Sequence, residues 1–443
     1  MAIHISEHFT FKKLFKFVLP SVFMMVVTSV YVVVDGLFVS NFVGKTPFAA
    51  LILISPFIMI LGGMGFMIGT GGTALVSKVM GENDEERAKR YFTMLIIFAV
   101  ILGLVLTAAG IGLMRPMARL LGADDDMIEY CVLYGRICVS FCTFYMLQNI
   151  FQSFLAAAGK PKLGLIVTLI AGGANAALDA VFIVAFKWGI AGAAAATGIG
   201  QVLGGVIPLI YFARKNGSLL KFTKTKIEIK PILKACANGS SEFLTNVASS
   251  VVGMLYNLQL MKFLGEDGVS AYGVLMYVSF IFIAIEIGYS IGCAPIIGYN
   301  YGAENHAELK NMFKKSMIIM CATGVALSAL AQALAIPLAM LFVGYDKALY
   351  ELTVYAFRIF SFGFIFSGVG IFSSGFFTAL NNGFISALLS FMRSLVFQVA
   401  FVFAMPAILD VDGIWYAMLA TEICAFITAV TVFIIFRKKY HYA

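Results

Sequence analysis

The stretch Phe11–Ser40, FKKLFKFVLPSVFMMVVTSVYVVVDGLFVS, decides how this chain folds. Behind a basic lead of Lys12, Lys13 and Lys16 it stays apolar over spanning length, about 20 helical residues for a hydrocarbon core about 30 Å thick. No small-residue cleavage site follows the lysines, so the run reads as a membrane span rather than a cleavable leader. Pro20 is placed to bend it. Asp35 stands inside it, in Tyr31-Val32-Val33-Val34-Asp35-Gly36-Leu37. A carboxylate in hydrocarbon is costly, so such a residue faces a protein interior or an aqueous cavity, where it binds or relays something.

Runs of the same kind recur along the whole chain. Twelve are expected, at roughly 11–40, 46–78, 91–114, 127–158, 162–187, 189–213, 231–264, 268–298, 312–343, 347–380, 383–409 and 413–437. The composition agrees: 61% hydrophobic and 12% charged, against about 25% charged in a soluble domain. The expected fold class is an all-α integral membrane protein. Its Lys and Arg fall unevenly, 22 in loops on one side, 6 on the other and 3 within spans. The basic side is the cytoplasmic one, and both termini belong to it. The net charge of +8 follows from that rule and does not point to nucleic acid. Seven cysteines without a CxxC pair imply neither a disulfide framework nor a metal site. His4, His8, His306 and His441 lie at the termini or in a loop, so any proton or cation chemistry in the membrane runs through carboxylates.

The chain reads as two copies of a six-helix unit. Residues 1–213 form one lobe, 214–230 a basic cytoplasmic linker, and 231–443 the second lobe. A shift of 221 lays Gly44, Ala50 and Gly81 on Gly265, Ala271 and Gly302, and a shift of 224 lays Gly189-Ile190 on Gly413-Ile414. Six is even, so both copies enter from one side. The lobes are then related by a pseudo-two-fold axis along the membrane normal, with a substrate path between them.

Counting along the helices gives depth. Asp35 lies nine residues before Gly44, Asp179 ten before Gly189, and Thr197 eight after Gly189. All three therefore sit roughly 12–15 Å below the outer ends of their helices. Asn175 is one turn before Asp179, and Tyr31 one turn before Asp35. Two carboxylates, an amide, a hydroxyl and a phenol can thus converge in the outer half of the first lobe. Such oxygens suit a hard cation such as Na⁺, and two nearby carboxylates in a low dielectric can instead carry a proton between them. A buried polar network that only locks helices together is the plainer reading.

In the second lobe Glu242, Glu286 and Arg393 fall at one depth, nearer the cytoplasmic side. An ion pair between Arg393 and one of those two acids is the plainer reading; an acid lining a cavity that attracts cationic drugs is the sharper one. Arg136, Arg358 and Glu422 are read as helix-packing pairs. Gly69-Thr70-Gly71-Gly72 lacks a Walker lysine, so close helix packing is expected rather than an ATP site. No constellation of nucleophile, base or metal suggests an enzyme, and no cofactor is expected.

With these residues the chain resembles the MATE (multidrug and toxic compound extrusion) family, in its bacterial DinF/MepA-like branch. The resemblance rests on Pro20 to Asp35 with Tyr31, Leu75–Gly81, Asn175 to Asp179, Gly189–Thr197, Ala294–Ala303 and Gly413-Ile414-Trp415. It implies a multi-pass protein of the bacterial inner membrane, with two six-helix lobes around a central cavity. The implied activity is export of lipophilic or cationic small molecules in exchange for H⁺ or Na⁺. It further implies that Asp35, Asn175, Asp179 and Thr197 form the coupling-ion site with Tyr31 in its network, and that Pro20 bends helix one. Asn149 and Gln152 of helix four become candidates for the substrate cavity, with Glu242 filling one acidic position used by another branch. A lipid-linked precursor flippase of the same superfamily is the alternative. The fold needs no partner beyond the bilayer, so a working monomer is expected.

Overall fold

A computed structural model describes residues 4–443. Helices account for nearly all of them, and no strand occurs among the described residues. In the first half, α1 (Phe11–Phe42), α2 (Lys45–Gly81) and α3 (Glu85–Leu120) are single long spans. Span four is a bent pair, α4 (Ile128–Ser140) and α5 (Cys142–Ala157), meeting at 55°. Span five is α6 (Pro161–Asp179), continued by a π-helical turn over Ala180–Ala185, and span six is α7 (Gly189–Ala213).

The second half repeats this plan. Short α8 (Ile229–Asn238) leads into α9 (Ser240–Gly302), which breaks at Gly265 into spans seven and eight. Then come α10 (His306–Val343) and a second bent pair, α11 (Lys347–Ser361) and α12 (Phe364–Ala379), meeting at 49°. Span eleven begins with α13 (Gly383–Phe391) and a second π-helical turn, Met392–Phe397. The final helix, α14 (Gln398–Tyr440), turns non-helical at Leu409 and Asp410. That break divides the apolar run Gly383–Tyr440, whose 58 residues would otherwise reach about 87 Å, into spans eleven and twelve. Twelve spans in two groups of six result.

The two halves agree in local backbone as well as in plan. Asp84 and Asn305, 221 positions apart, each cap the following helix by accepting from the backbone N–H three residues on, at Arg87 and Glu308. Such caps contribute about 1 kcal/mol each. The residues just before them, Asn83 and Glu304, both adopt positive φ, at 60° and 55°. Gly44 and Gly265, also equivalent, take φ of 121° and 62° at the opposite end, where a side chain would be strained.

Repeat-equivalent glycines also meet face to face. A Cβ on Gly81 would lie 2.0 Å from the Tyr299 carbonyl, and one on Gly302 would lie 2.0 Å from the Lys78 carbonyl. Gly71 and Gly239 form a second such crossing, against Ala235 and Met67. These backbone approaches close the two groups of helices onto each other at the end of the bundle that carries the termini. Aromatic clusters brace each group at that same end. Phe92 contacts Phe154, Phe212 and Phe222 in the first, and Phe313, Phe376 and Phe433 surround Tyr442 in the second. Phe222 belongs to the linker, whose Thr223 N–H also donates to Thr93 Oγ1 at 3.1 Å.

A strap crosses between the halves here too. The Phe9 N–H donates to Glu308 Oε1 at 3.0 Å, and His8 Nδ1 lies 2.6 Å from Glu308 Oε2. Asn311 and Lys315 donate to the Phe9 carbonyl. The segment before α1 is thereby fixed to α10. Helix α1 itself runs unbroken through the buried Pro20.

Candidate functional site

Three helices bring the outer polar residues of the first half together. Asp35 comes from α1, Asn175 and Asp179 from α6, and Thr197 from α7. The Asn175 amide donates to Thr197 Oγ1 at 3.4 Å, which ties α6 to α7. Gly200 makes that approach close, since a Cβ there would sit 3.3 Å from Asn175 Cβ. The carboxyl groups of Asp35 and Asp179 come within hydrogen-bonding reach of each other. Asp179 is fully buried and is the last α-helical residue before the π turn, a distortion common at functional sites.

The acceptors at this site outnumber the donors. Both oxygens of Asp179, one of Asp35 and the Asn175 carbonyl oxygen are buried without a protein donor. Among the described residues, no Lys, Arg or His stands within ion-pair distance of either aspartate. Buried acceptors are costly when unpaired. Two carboxyls in contact inside low dielectric demand a proton or a cation. The amide and hydroxyl oxygens beside them complete a set of hard oxygen ligands that fits Na⁺ as well as a proton. Tyr31 stands one turn before Asp35 on α1, and its ring lies over Gly172.

The sequence missed several neighbours of this site. Tyr134 and Cys138, one turn apart on α4, both stand close enough to Asp35 to feel its charge. Their i, i+4 spacing was the available signal. Below them lies a narrow cleft lined by Gln148, Gln152, Gly164, Thr168, Gly204 and Pro208. Both polar atoms of the Gln152 side chain are buried without a partner, as is Gln148 Oε1. Asn149, by contrast, donates to the Gly62 carbonyl at 3.2 Å and ties α5 to α2. Of the two helix-four amides picked from sequence, Gln152 keeps its hydrogen-bonding groups free and Asn149 does not.

The second half departs from expectation. Arg393 pairs with Glu422, through Nη2 to Oε1 at 2.8 Å and Nε to Oε2 at 3.0 Å. It does not pair with Glu242 or Glu286. Glu286, fully buried on α9, is held instead by Ser367, whose Oγ lies 2.8 and 2.9 Å from its two oxygens. Glu242 stands apart, half-buried at the start of α9, one turn beyond the Gly239 crossing with α2. Equal depth therefore did not mean one cluster. Nor do Arg136 and Arg358 form an ion pair among the described residues. Both are exposed; Arg136 Nε reaches only the Ile111 carbonyl, at 3.4 Å, and Arg358 offers its own carbonyl to Gln332.

Twelve apolar spans in two matched sets, a carboxyl pair within one set and a seam between them define a multi-pass transporter fold. The MatE family's sequence model matches residues 20–181 and again 243–404, once in each half and over well more than half of the chain, so the chain belongs to the MatE family. Its relatives include the multidrug export protein MepA of Staphylococcus haemolyticus, 24% identical over 97% of this chain and 95% of the relative. MepA of Staphylococcus aureus strain MRSA252 is 23% identical, over 96% and 94%. The outward-facing structure of a multidrug resistance MATE family transporter superposes with a TM-score of 0.90 at 21% identity, covering 96% of this chain and 95% of that one.

Proposed function

We propose that this protein is a secondary antiporter of the bacterial inner membrane that exports lipophilic or cationic compounds in exchange for H⁺ or Na⁺. The observation that carries this reading is the Asp35–Asp179 contact, with four buried acceptor oxygens and, among the described residues, no basic side chain paired with them. A site of that kind is stable only when a mobile cation loads it, which is what a coupling site requires. The positive-inside bias puts the termini, and with them the glycine seam between the lobes, on the cytoplasmic side. This conformation is then closed to the cytoplasm, and the coupling site lies toward the outside.

In the proposed cycle a cation from outside loads onto Asp35 and Asp179. Neutralising the pair lets α1 and α6 close together. Because α1 also lines the space between the lobes, and Pro20 leaves the Lys16 carbonyl without its helical partner, the helix can bend there and shrink the drug cavity. Gln152 and Gln148 supply the polar contacts of that cavity, and Glu242, at the seam, draws cations to it. The lobes then separate at the Gly81–Gly302 crossing and release the ion inward. Drug and ion need only disfavour each other by about 1–3 kcal/mol. The working unit is one chain. Export of several drugs by the MepA relatives supports the same substrate range here.

The test is efflux of a cationic dye from proteoliposomes under Na⁺ and pH gradients imposed separately. One of the two should drive efflux against the dye gradient. Efflux indifferent to both would refute antiport.

A further inference from the structure

The second lobe holds a group of charges that the antiport cycle does not use. Arg393 and Glu422 form a two-bond pair within it, with side-chain exposures of 14% and 0%. Glu286 is a second carboxyl in the same lobe, 0% exposed, and the charges acting on it are Arg393 and Glu422. One guanidinium thus serves two buried carboxyls. If both were ionised the lobe would carry an uncompensated negative charge in its interior, the arrangement that buried ion pairs tolerate least.

Hydrogen-bond bookkeeping points the same way. Ser367 has one hydroxyl proton, yet its oxygen lies 2.8 and 2.9 Å from both Glu286 oxygens and 3.2 Å from the Phe364 carbonyl. With Glu286 ionised, Ser367 donates to one oxygen and the other has no protein donor. With Glu286 protonated, its O–H donates to Ser367 Oγ, and Ser367 donates onward to Phe364. That chain leaves no donor unused and makes the Glu286–Arg393–Glu422 group neutral. Gly368 lets the backbone of α12 come this close, a Cβ there lying 3.2 Å from Glu286 Oε1.

We infer that Glu286, with Ser367, Arg393 and Glu422, forms a second proton-holding site, enclosed in the second lobe and filled in this conformation. Its ligand is a proton rather than a metal cation. Arg393 already supplies a positive charge, and among the described residues Ser367 is the only neutral side-chain oxygen bonded to Glu286. The site is independent of the Asp35–Asp179 reading, since it shares no residue or helix with it.

Infrared absorption of the reconstituted full-length protein at neutral pH tests this directly, because a protonated carboxyl has a C=O band that an ionised one lacks. Asp35→Asn with Asp179→Asn should leave the Glu286 acid band in place, and Glu286→Gln should remove it. Ser367→Ala, which keeps the acid but takes away its hydrogen-bond partner, should move that band to higher frequency without abolishing it. A folded Glu286→Gln protein with undiminished acid absorption overturns the proposal, and so does a Ser367→Ala spectrum identical to wild type. Loss of ion-driven efflux, or its persistence, does not alter these bands, so the two readings fail separately.

Discussion

The two lobes place buried acids in opposite electrostatic settings. In the first, Asp35 and Asp179 face each other with no basic side chain among the described residues in ion-pair reach, and most of their oxygens lack a donor. In the second, Glu422 has a permanent partner in Arg393, and Glu286 leans on Ser367. Each arrangement sits in a helix interrupted by a π turn, just after Asp179 in span five and around Arg393 in span eleven. One repeated scaffold thus carries a site that must borrow its counter-charge from solution and another that carries its own. In the proposed cycle the first loads and unloads an ion, while the Arg393–Glu422 pair ties spans eleven and twelve of the second together.

Breaking the fixed pair should cost the most stability. Arg393→Met leaves Glu422 buried and uncompensated, so about 3–5 kcal/mol should be lost. Thermal unfolding in detergent measures it, and Arg393→Met combined with Glu422→Leu should recover most of the loss. Asp179→Asn should do the reverse in the first lobe. It relieves an unpaired buried charge, so its unfolding temperature should equal or exceed that of wild type. If both single changes destabilised equally, the contrast between the lobes would be lost.

The seam comes next. Gly81→Ala pushes a methyl to 2.0 Å from the Tyr299 carbonyl, and overpacking of this kind costs about 1–3 kcal/mol. The cost falls on the closed seam, so the cytoplasm-open state should gain population. Accessibility of a cysteine placed at Ser77, itself buried against Gly298, should rise in that background. Smallest is the strap. Glu308→Gln weakens its bonds to His8 and the Phe9 N–H, and amide exchange at Phe9 should speed by about tenfold, equivalent to about 1.4 kcal/mol. Exchange at Asn175, in the other group of contacts, should not change.

Much of this architecture was legible in the sequence because it is one-dimensional information. Span number follows from apolar length. The convergence of Asp35, Asn175, Asp179 and Thr197 follows from counting residues to a helix end, since α6 and α7 are neighbours joined by a short turn. Residue counting gives height but not the direction a side chain faces around the helix axis. For that reason Glu242 reads as one group with Glu286 and Arg393, although it stands apart at the start of α9, one turn beyond the Gly239 crossing. The true partner of Arg393, Glu422, lies beyond the break at Leu409–Asp410, and Arg393 itself stands within the π turn. The π turn has no marker in the local sequence, whereas the break falls where the runs 383–409 and 413–437 part. The orphaned amides of Gln148 and Gln152 were half visible, since their four-residue spacing aligns them on one face, but which of the helix-four amides was already engaged with α2 depended on the bend between α4 and α5.

The central claim is that the unbalanced first-lobe pair carries the coupling ion and the balanced second-lobe pair does not. Ion-driven dye efflux from proteoliposomes, compared for Asp179→Asn and for the Arg393→Met, Glu422→Leu double variant, tests it most directly. The account predicts that Asp179→Asn abolishes gradient-driven efflux while the protein stays folded, and that the double variant still responds to the gradient. Wild-type efflux from Asp179→Asn under the same gradient would contradict it.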